Sequence, residues 1–251
     1  MTAMATAILT TRSGPGKHRV VSRREWLDAR RKLLKKEKRL TRLRDKLSSE
    51  RRALPWARVE KDYAFNGPKG RRTLADLFEG RSQLVVYHFM FGPDYREGCP
   101  SCSFWADHFD GAVAHLKERD TTLAVVSHAP WRKLSVFKKR MGWRFPWFSS
   151  HGSEFNPDFG VSFTKGELRA GPISYNYRRV KMPLRMTELP GVSAFYRDES
   201  GAIFHTYSAY SRGIDPMNTS YSILDLTAKG RDEDPDWPQD WVDFHDRYKS
   251  T

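Results

Sequence analysis

The stretch GCPSCSFWADHF, residues 98–109, contains both cysteines of this 251-residue chain. Cys99 and Cys102 are separated by Pro100 and Ser101, which gives the spacing Cys-x-x-Cys. Two cysteines placed at random in a chain of this length would fall at this spacing on the order of one time in a hundred, so chance explains the pair poorly. We therefore expect either a redox-active dithiol or one half of a metal site.

The metal site is the less favoured alternative. Zinc needs four ligands, and the chain has no second cysteine pair, while its 8 histidines include no His-x₃₋₅-His pair. Covalent attachment of haem would need a histidine directly after Cys102, where the sequence has Ser103. We accordingly expect neither a metal nor an organic cofactor.

The segments around the cysteines predict an α/β fold. Continuous apolar runs indicate buried strands, helical spacing bounded by Pro and Gly indicates helices, and alternating runs around a turn indicate a hairpin. These elements are strands at 83–92 and 121–128, helices at 100–117 and 130–142, and a hairpin at 192–208. This order predicts a mixed central sheet flanked by helices, with an insertion at 143–189.

The order of elements also gives the two cysteines different roles. Cys99 is expected at the N-terminus of the helix that starts at Pro100, where unpaired N–H groups and the helix dipole stabilise a thiolate. Cys102 lies one turn further along and can close a short disulfide. We therefore predict that Cys99 is the exposed attacking thiol with a lowered pKa and that Cys102 is the shielded resolving thiol.

A strongly basic segment precedes this domain. The chain has 44 Lys and Arg against 30 Asp and Glu, a net charge of +14, and residues 22–52 alone carry +9. Residues 22–54 lack Gly and Pro and begin with a capping-box pattern, Ser22 and Glu25, which predicts one long helix. Its apolar residues recur every seven positions, at Trp26, Leu33, Leu40, Leu47 and Leu54.

The seven-residue repeat leaves three interpretations of this helix open. It can pack on its own domain, associate with a second copy to form a homo-oligomer, or bind nucleic acid weakly through its charge. Acidic residues are interspersed along the helix, so we do not expect sequence-specific recognition of nucleic acid.

Targeting signals are not evident in the sequence. No run reaches the roughly 18 apolar residues of a membrane span, and the first 19 residues lack the apolar region of a secretory signal. Residues 1–21 are expected to be a disordered tail, with an organellar transit peptide as the weaker alternative. Two cysteines cannot form a multi-disulfide framework, which favours a reducing compartment and hence the cytoplasm.

Long stretches from about residue 20 to the C-terminus resemble an uncharacterised thioredoxin-like family, domain of unknown function 899. The stretches that carry the resemblance include LADLFEGRSQLVVYHFMF, GCPSCSFWAD, VSHAP, MGWRFPWFSS and FHTYSAYSRG. The resemblance implies a thioredoxin-like fold for residues 55–230, preceded by the long basic helix at 22–54. Residues 231–251 would then form a C-terminal extension that wraps the surface.

The resemblance also implies roles for two further residues. Pro190 stands just before the penultimate strand, where thioredoxin-like proteins carry a cis-proline that faces the active cysteines. His88 stands on the strand that leads to the site, where thioredoxin has a buried acid that accepts a proton during resolution. Each residue also fits a purely structural role, as a strand-start proline and as a core histidine.

The predicted function is that of a thiol–disulfide oxidoreductase. Cys99 would attack a disulfide of a protein or a small molecule, Cys102 would resolve the mixed disulfide, and an unknown reductant would restore the dithiol. A thiol peroxidase is one alternative, although the peroxiredoxin signature Pro-x-x-x-Thr-x-x-Cys is absent because Arg96 replaces the threonine. A basic-helix interaction protein or a redox sensor, with no enzymatic activity, is the other.

Overall fold

The structure is a computed structural model that describes residues 18–236 and 238–249. Most of the tail predicted at 1–21 therefore lies outside the described residues. The chain divides into two compact units: one contains the long N-terminal helix and residues 220–241, and the other contains the chain from Pro55 to Thr219 and from Val242 onward. Within the described ranges, no helix is both long and apolar enough to cross a membrane.

The predicted long helix is present as α1 (Arg23–Arg52). Its capping box is complete: the Ser22 hydroxyl accepts a hydrogen bond from the Glu25 amide, and the Glu25 carboxylate accepts one from the Ser22 amide at 3.0 Å. No residue of α1 is buried, and side chains of the seven-residue repeat such as Leu33 and Leu40 are about half exposed. The helix therefore presents its apolar stripe as surface.

The remaining elements alternate between strands and short helices. The strands are β1 (Ala57–Arg58), β2 (Ala64–Gly67), β3 (Gly70–Thr73), β4 (Gln83–His88), β5 (Thr121–Ser127), β6 (Trp147–Ser149), β7 (Ile173–Tyr175), β8 (Arg178–Val180), β9 (Gly191–Arg197) and β10 (Ile203–Tyr210). The helices are α2 (Leu74–Leu77), α3 (Pro100–Ala106), α4 (Phe109–Lys117), α5 (Trp131–Arg140), α6 (Phe155–Asp158), α7 (Lys165–Ala170) and α8 (Thr219–Leu224), and a 3-10 helix spans Ser211–Met217.

Eight strands form one mixed sheet in the order β1-β10-β9-β4-β5-β6-β2-β3, and β7 pairs separately with β8. Strands β4, β5 and β6 are parallel, whereas β9 is antiparallel to both β4 and β10. A βαβ unit whose first strand is flanked by an antiparallel hairpin, giving the order β5-β4-β9-β10, is the arrangement of the thioredoxin-like fold. The predicted fold class is thus confirmed, and the carboxyl ends of β4 and β5 meet at one edge of the sheet.

Two of the expected elements need correction. The segment predicted as an insertion at 143–189 begins with β6, which is a strand of the central sheet and pairs Trp147 with Val125. The single helix expected at 100–117 is split into α3 and α4 at Asp107, whose carboxylate accepts a hydrogen bond from the Trp143 indole at 2.7 Å.

The last residues of the chain pack on the unit that contains the cysteines. Phe244 is fully buried, with its ring centroid 5.4 Å from that of Phe137. Arg247 donates to the Glu97 carboxylate at 2.7 Å, so an ion pair fixes the segment two residues before Cys99. Phe244 and Arg247 therefore anchor residues 242–249 to this unit.

Candidate redox site

Cys99 lies at the start of α3, directly beyond the end of β4. Its backbone is extended, and Pro100 occupies the first turn of the helix, where no N–H donor is needed. The Cys99 amide donates to the Met90 carbonyl at 3.1 Å, and its own carbonyl accepts from the Ser103 amide at 3.0 Å. These bonds fix the loop that returns the chain from β4 to the helix.

Gly98 allows the chain to approach the core immediately before Cys99. A Cβ atom at this position would lie 2.8 Å from ring atoms of both Phe89 and Phe137. Because these aromatic rings are packed in the core, a side chain at position 98 would displace the backbone that places Cys99.

Cys99 is a partly exposed free thiol with a lowered pKa. A hydrogen bond from the Cys102 side chain lowers the pKa most, and the backbone N–H groups of Cys102 and Ser101 lower it further against the opposing effect of burial. The result is a pKa of about 7, below the ordinary value of a free cysteine. A substantial fraction of Cys99 is therefore thiolate at neutral pH.

Cys102 is a free thiol in a different environment. It is buried, and its sulfur accepts a hydrogen bond from the Met90 amide at 3.5 Å. Burial, followed by the hydrogen bond and the charge of Cys99, raises the pKa of Cys102 well above its ordinary value. The pair is thus asymmetric in the direction that the order of elements predicts: the outer thiol ionises first and the inner thiol stays protonated.

Tyr87 is the β4 residue that faces this pair, and no pattern in the sequence indicates this role. It is fully buried, and its ring contacts that of Phe109 in α4 at 5.1 Å between centroids. Burial raises the pKa of Tyr87 most, and the charge of Cys102 raises it further. The phenol is therefore a neutral hydrogen-bond donor beside the inner sulfur.

His88, the neighbour of Tyr87 along the strand, points to the other side of the sheet. Its Nε2 lies 2.9 Å from the Ser193 hydroxyl, and its ring stacks on Phe155 at 5.6 Å between centroids. Burial, and then the charge of His205, lowers the pKa of His88 to about 3. None of the contacts described for His88 involves a cysteine, so the structure does not bring it to the position expected from the resemblance.

Pro190 also differs from expectation. No peptide bond among the described residues is cis, so the expected cis-proline is not present. Pro190 directly precedes β9, whose first residue, Gly191, pairs with His88. Its carbonyl accepts a hydrogen bond from the Tyr175 hydroxyl at 2.7 Å. Burial raises the pKa of Tyr175 most, and the charge of Cys102 raises it further. Because Tyr175 also bonds the Pro190 carbonyl, Pro190 is linked to the cysteine site through this tyrosine.

A second polar cluster lies at the same edge of the sheet, and no motif in the sequence indicates it. The carboxylate of Glu188, which is buried, accepts a hydrogen bond from the Ser162 hydroxyl and lies 3.2 Å from Nδ1 of His128. The Glu188 amide donates to the Tyr95 hydroxyl at 3.3 Å. Burial raises the pKa of Tyr95, and the charges of Glu188 and Cys99 contribute, so this cluster lies close to the cysteines.

In the ranges that the structure describes, no three His, Cys, Asp or Glu side chains are grouped so that they could hold a metal ion.

Comparison with solved structures identifies several similar chains. Peroxidoxin BcpB from Mycobacterium tuberculosis has 17% sequence identity and a TM-score of 0.43, with 66% of this chain and 94% of that chain covered. Peroxiredoxin Q from Xanthomonas campestris has 13% identity and a TM-score of 0.42, covering 71% and 99%. A PrxQ variant from Xylella fastidiosa has 14% identity and a TM-score of 0.41, covering 68% and 93%.

A search of curated proteins found no match. A family model does match, and it spans residues 15–248. This range includes the cysteine pair, the whole central sheet and the C-terminal segment anchored by Phe244. The chain therefore belongs to the family described as Bacterial protein of unknown function (DUF899).

Proposed function

We propose that this protein is a thiol–disulfide oxidoreductase in which Cys99 attacks and Cys102 resolves. The observation that carries the proposal is the asymmetry of the pair. Cys99 is partly exposed with a pKa of about 7, whereas Cys102 is buried with a raised pKa. A thiol whose pKa is close to the ambient pH is the most effective attacking group, because it combines a high thiolate fraction with high nucleophilicity.

The first step forms a mixed disulfide. The Cys99 thiolate attacks one sulfur of a substrate disulfide, R–S–S–R′, so that the Cys99–S–R bond forms and the S–S bond of the substrate breaks. The leaving R′–S⁻ takes up a proton from solvent. Because Cys102 is buried and protonated, it does not compete with Cys99 for the substrate.

The second step releases the product. Cys102 loses its proton and attacks the Cys99 sulfur, which forms the Cys99–Cys102 disulfide and expels R–S⁻. The substrate has then gained two electrons and the protein has lost two. A dithiol or thiol reductant, which we expect to be supplied by the cytoplasm, returns the pair to the reduced state. These steps use the sulfur atoms of the protein and need no metal.

Single substitutions of the two cysteines test this assignment. Cys102→Ser removes the resolving thiol, so we expect it to accumulate mixed disulfides through Cys99 when it is expressed in cells. Cys99→Ser removes the attacking thiol, and we expect no adducts. Non-reducing gels of the lysates show the adducts, mass spectrometry identifies the partners, and the variant without cysteines is the control.

Two results would argue against the proposal. Equal trapping by both single variants would remove the distinction between attacker and resolver. If neither variant trapped a partner and peroxide produced a sulfenic acid on Cys99, the protein would instead be a thiol peroxidase.

A further inference from the structure

The hydroxyl group of Tyr87 has unusual surroundings for a buried polar group. It is fully buried, and among the described residues it has no hydrogen-bond partner of ordinary geometry. Other tyrosine hydroxyls of the same unit do have partners: Tyr63 donates to Asp158 at 2.8 Å, and Tyr210 donates to the Phe159 carbonyl at 2.9 Å. A buried hydroxyl without a partner lowers the stability of a protein, so its presence calls for a functional explanation.

The Tyr87 hydroxyl and the Cys102 side chain are close enough for each to influence the pKa of the other, so the nearest reactive group is the Cys102 sulfur. Helix α4 packs over Tyr87 through Phe109, and the Met90 amide, three residues further along the chain, donates to the Cys102 sulfur at 3.5 Å. When that sulfur carries a negative charge, a hydrogen bond from Tyr87 favours the charged form and lowers the pKa of Cys102. The hydroxyl is therefore placed to make a bond that the neutral thiol does not make.

We propose that Tyr87 is the hydrogen-bond donor that stabilises the Cys102 thiolate while the mixed disulfide is resolved, a role that rests on the proposed function. A donor that is fixed before the charge appears needs no rearrangement at the moment of reaction. It also favours the reacting state over the resting state, which is the condition for raising a rate.

The protons and electrons of the step balance without a change at Tyr87. The Cys102 thiol gives its proton to water, and the resulting thiolate accepts the Tyr87 hydrogen bond and attacks the Cys99 sulfur. The Cys99–Cys102 bond forms, the bond from Cys99 to the substrate sulfur breaks, and the leaving thiolate takes a proton from solvent. Tyr87 keeps its proton, because its pKa is raised well above the ordinary value.

The test follows both steps in one reaction. The reduced protein is mixed with dithionitrobenzoate, a chromogenic disulfide that releases one thionitrobenzoate when Cys99 attacks and a second when Cys102 resolves. We compare the wild type with Tyr87→Phe, which removes only the hydroxyl, over a range of pH. Tyr63→Phe is the matched control, because it removes the hydroxyl of another buried tyrosine whose partner is Asp158.

The expected result separates the two variants. In Tyr87→Phe the second release should slow about tenfold at neutral pH, with its pH profile shifted upward, since loss of the bond raises the pKa of Cys102. The first release should stay within about twofold of the wild type. Tyr63→Phe should lose stability in urea unfolding and keep both rates, whereas Tyr87→Phe should be at least as stable as the wild type, because the hydroxyl that it removes has no partner of ordinary geometry.

Failure of this inference can be told apart from failure of the proposed function. A second release that is present in the wild type and unchanged in Tyr87→Phe at every pH would overturn the role of Tyr87 alone. If the wild type gave no second release, the proposed function would fail instead. Alkylation of Cys102 by iodoacetamide in Cys99→Ser, with and without Tyr87→Phe, then measures the same bond without turnover, and an unchanged pH midpoint would refute it.

Discussion

The cysteine pair and helix α1 are two segments whose regular spacing stands out in the sequence, yet the structure surrounds them very differently. At the pair, the Met90 backbone, the helix start and the buried Tyr87 all act on the two sulfurs. In α1, no residue is buried and the repeated apolar side chains remain about half exposed. The Cys-x-x-Cys spacing indicates reactivity because the surrounding fold changes the pKa values of the two thiols. The seven-residue repeat of α1 has no such surroundings, and it indicates only an exposed apolar stripe.

The largest expected contrast lies within the cysteine site. Alkylation of the reduced protein by iodoacetamide should show an inflection for Cys99 at pH about 7, the pKa of this thiol. Cys102 should remain unmodified through that range, because its pKa is raised and it is buried. Mass spectrometry of the alkylated peptides as a function of pH measures each cysteine separately.

A substitution at Cys102 sharpens this measurement. The Cys102 side chain makes the largest contribution that lowers the pKa of Cys99. Cys102→Ala should therefore move the Cys99 inflection to higher pH. A substitution to alanine at a buried residue that does not contact the cysteines should leave the inflection in place. An inflection of wild-type Cys99 near 8.5, the ordinary value of a free cysteine, would contradict the environment described for the site.

His88 provides the next largest effect, on stability. Its pKa in the folded protein is about 3, below the ordinary 6.5, so the folded state favours the neutral imidazole. The unfolded chain takes up this proton first as the pH falls. The contribution of His88 to stability is therefore complete above pH 6.5 and is lost toward pH 3, at up to about 1.4 kcal/mol per pH unit.

His88→Gln isolates this contribution, because glutamine does not titrate. Urea unfolding at neutral pH and at pH 5 should show that the wild type loses about 2 kcal/mol more than the variant. The variant should also resolve a mixed disulfide at the wild-type rate, since the polar contact of His88 is with Ser193. Equal pH dependence of the two proteins, or resolution slowed about a hundredfold as for a lost proton acceptor, would contradict the structure.

The choice between His88 and Tyr87 shows where sequence reasoning reached its limit. The run at 83–92 is mostly apolar, as expected for a strand buried on both faces, so no alternation indicates which of two neighbouring residues faces the cysteines. Adjacent strand residues point to opposite faces of the sheet. Because imidazole titrates near neutral pH, the role of proton acceptor falls on His88 when the sequence alone is considered. The packing of α4 against Tyr87, together with the effect of Cys102 on this tyrosine, identifies the face that carries the site.

Features that depend on residues close in sequence could be predicted, whereas contacts between distant segments could not. The capping box of α1, the hairpin of β9 and β10, and the helix start at Cys99 depend on residues close in sequence, and each was predicted. The contact of Glu188 with Ser162 and His128 joins segments 26 and 60 residues apart, and no local pattern indicates it. Strand β6 was missed because its three residues are too few to show a period.

The smallest expected effect is the self-association of the chain through helix α1, which tests whether its exposed apolar stripe is an interface. We expect its exposed stripe to associate with a second copy of the chain, because seven-residue spacing is the pattern of helices that pack side by side. The excess of Lys and Arg opposes this association, so added salt should strengthen it by screening the like charges. Light scattering at increasing ionic strength measures the mass directly.

A pair of lysine substitutions separates the stripe from the charge. Leu40→Lys places a charge within the stripe, where burial of an unpaired ammonium is unfavourable, and should weaken association at least about tenfold. Ser49→Lys adds the same charge nine residues later, which at 3.6 residues per turn is the opposite side of the helix, and should have little effect. If both variants and the wild type had the same monomeric mass at every salt concentration, the stripe would not hold a dimer. If both lysines weakened association equally, net charge and not the seven-residue repeat would control it.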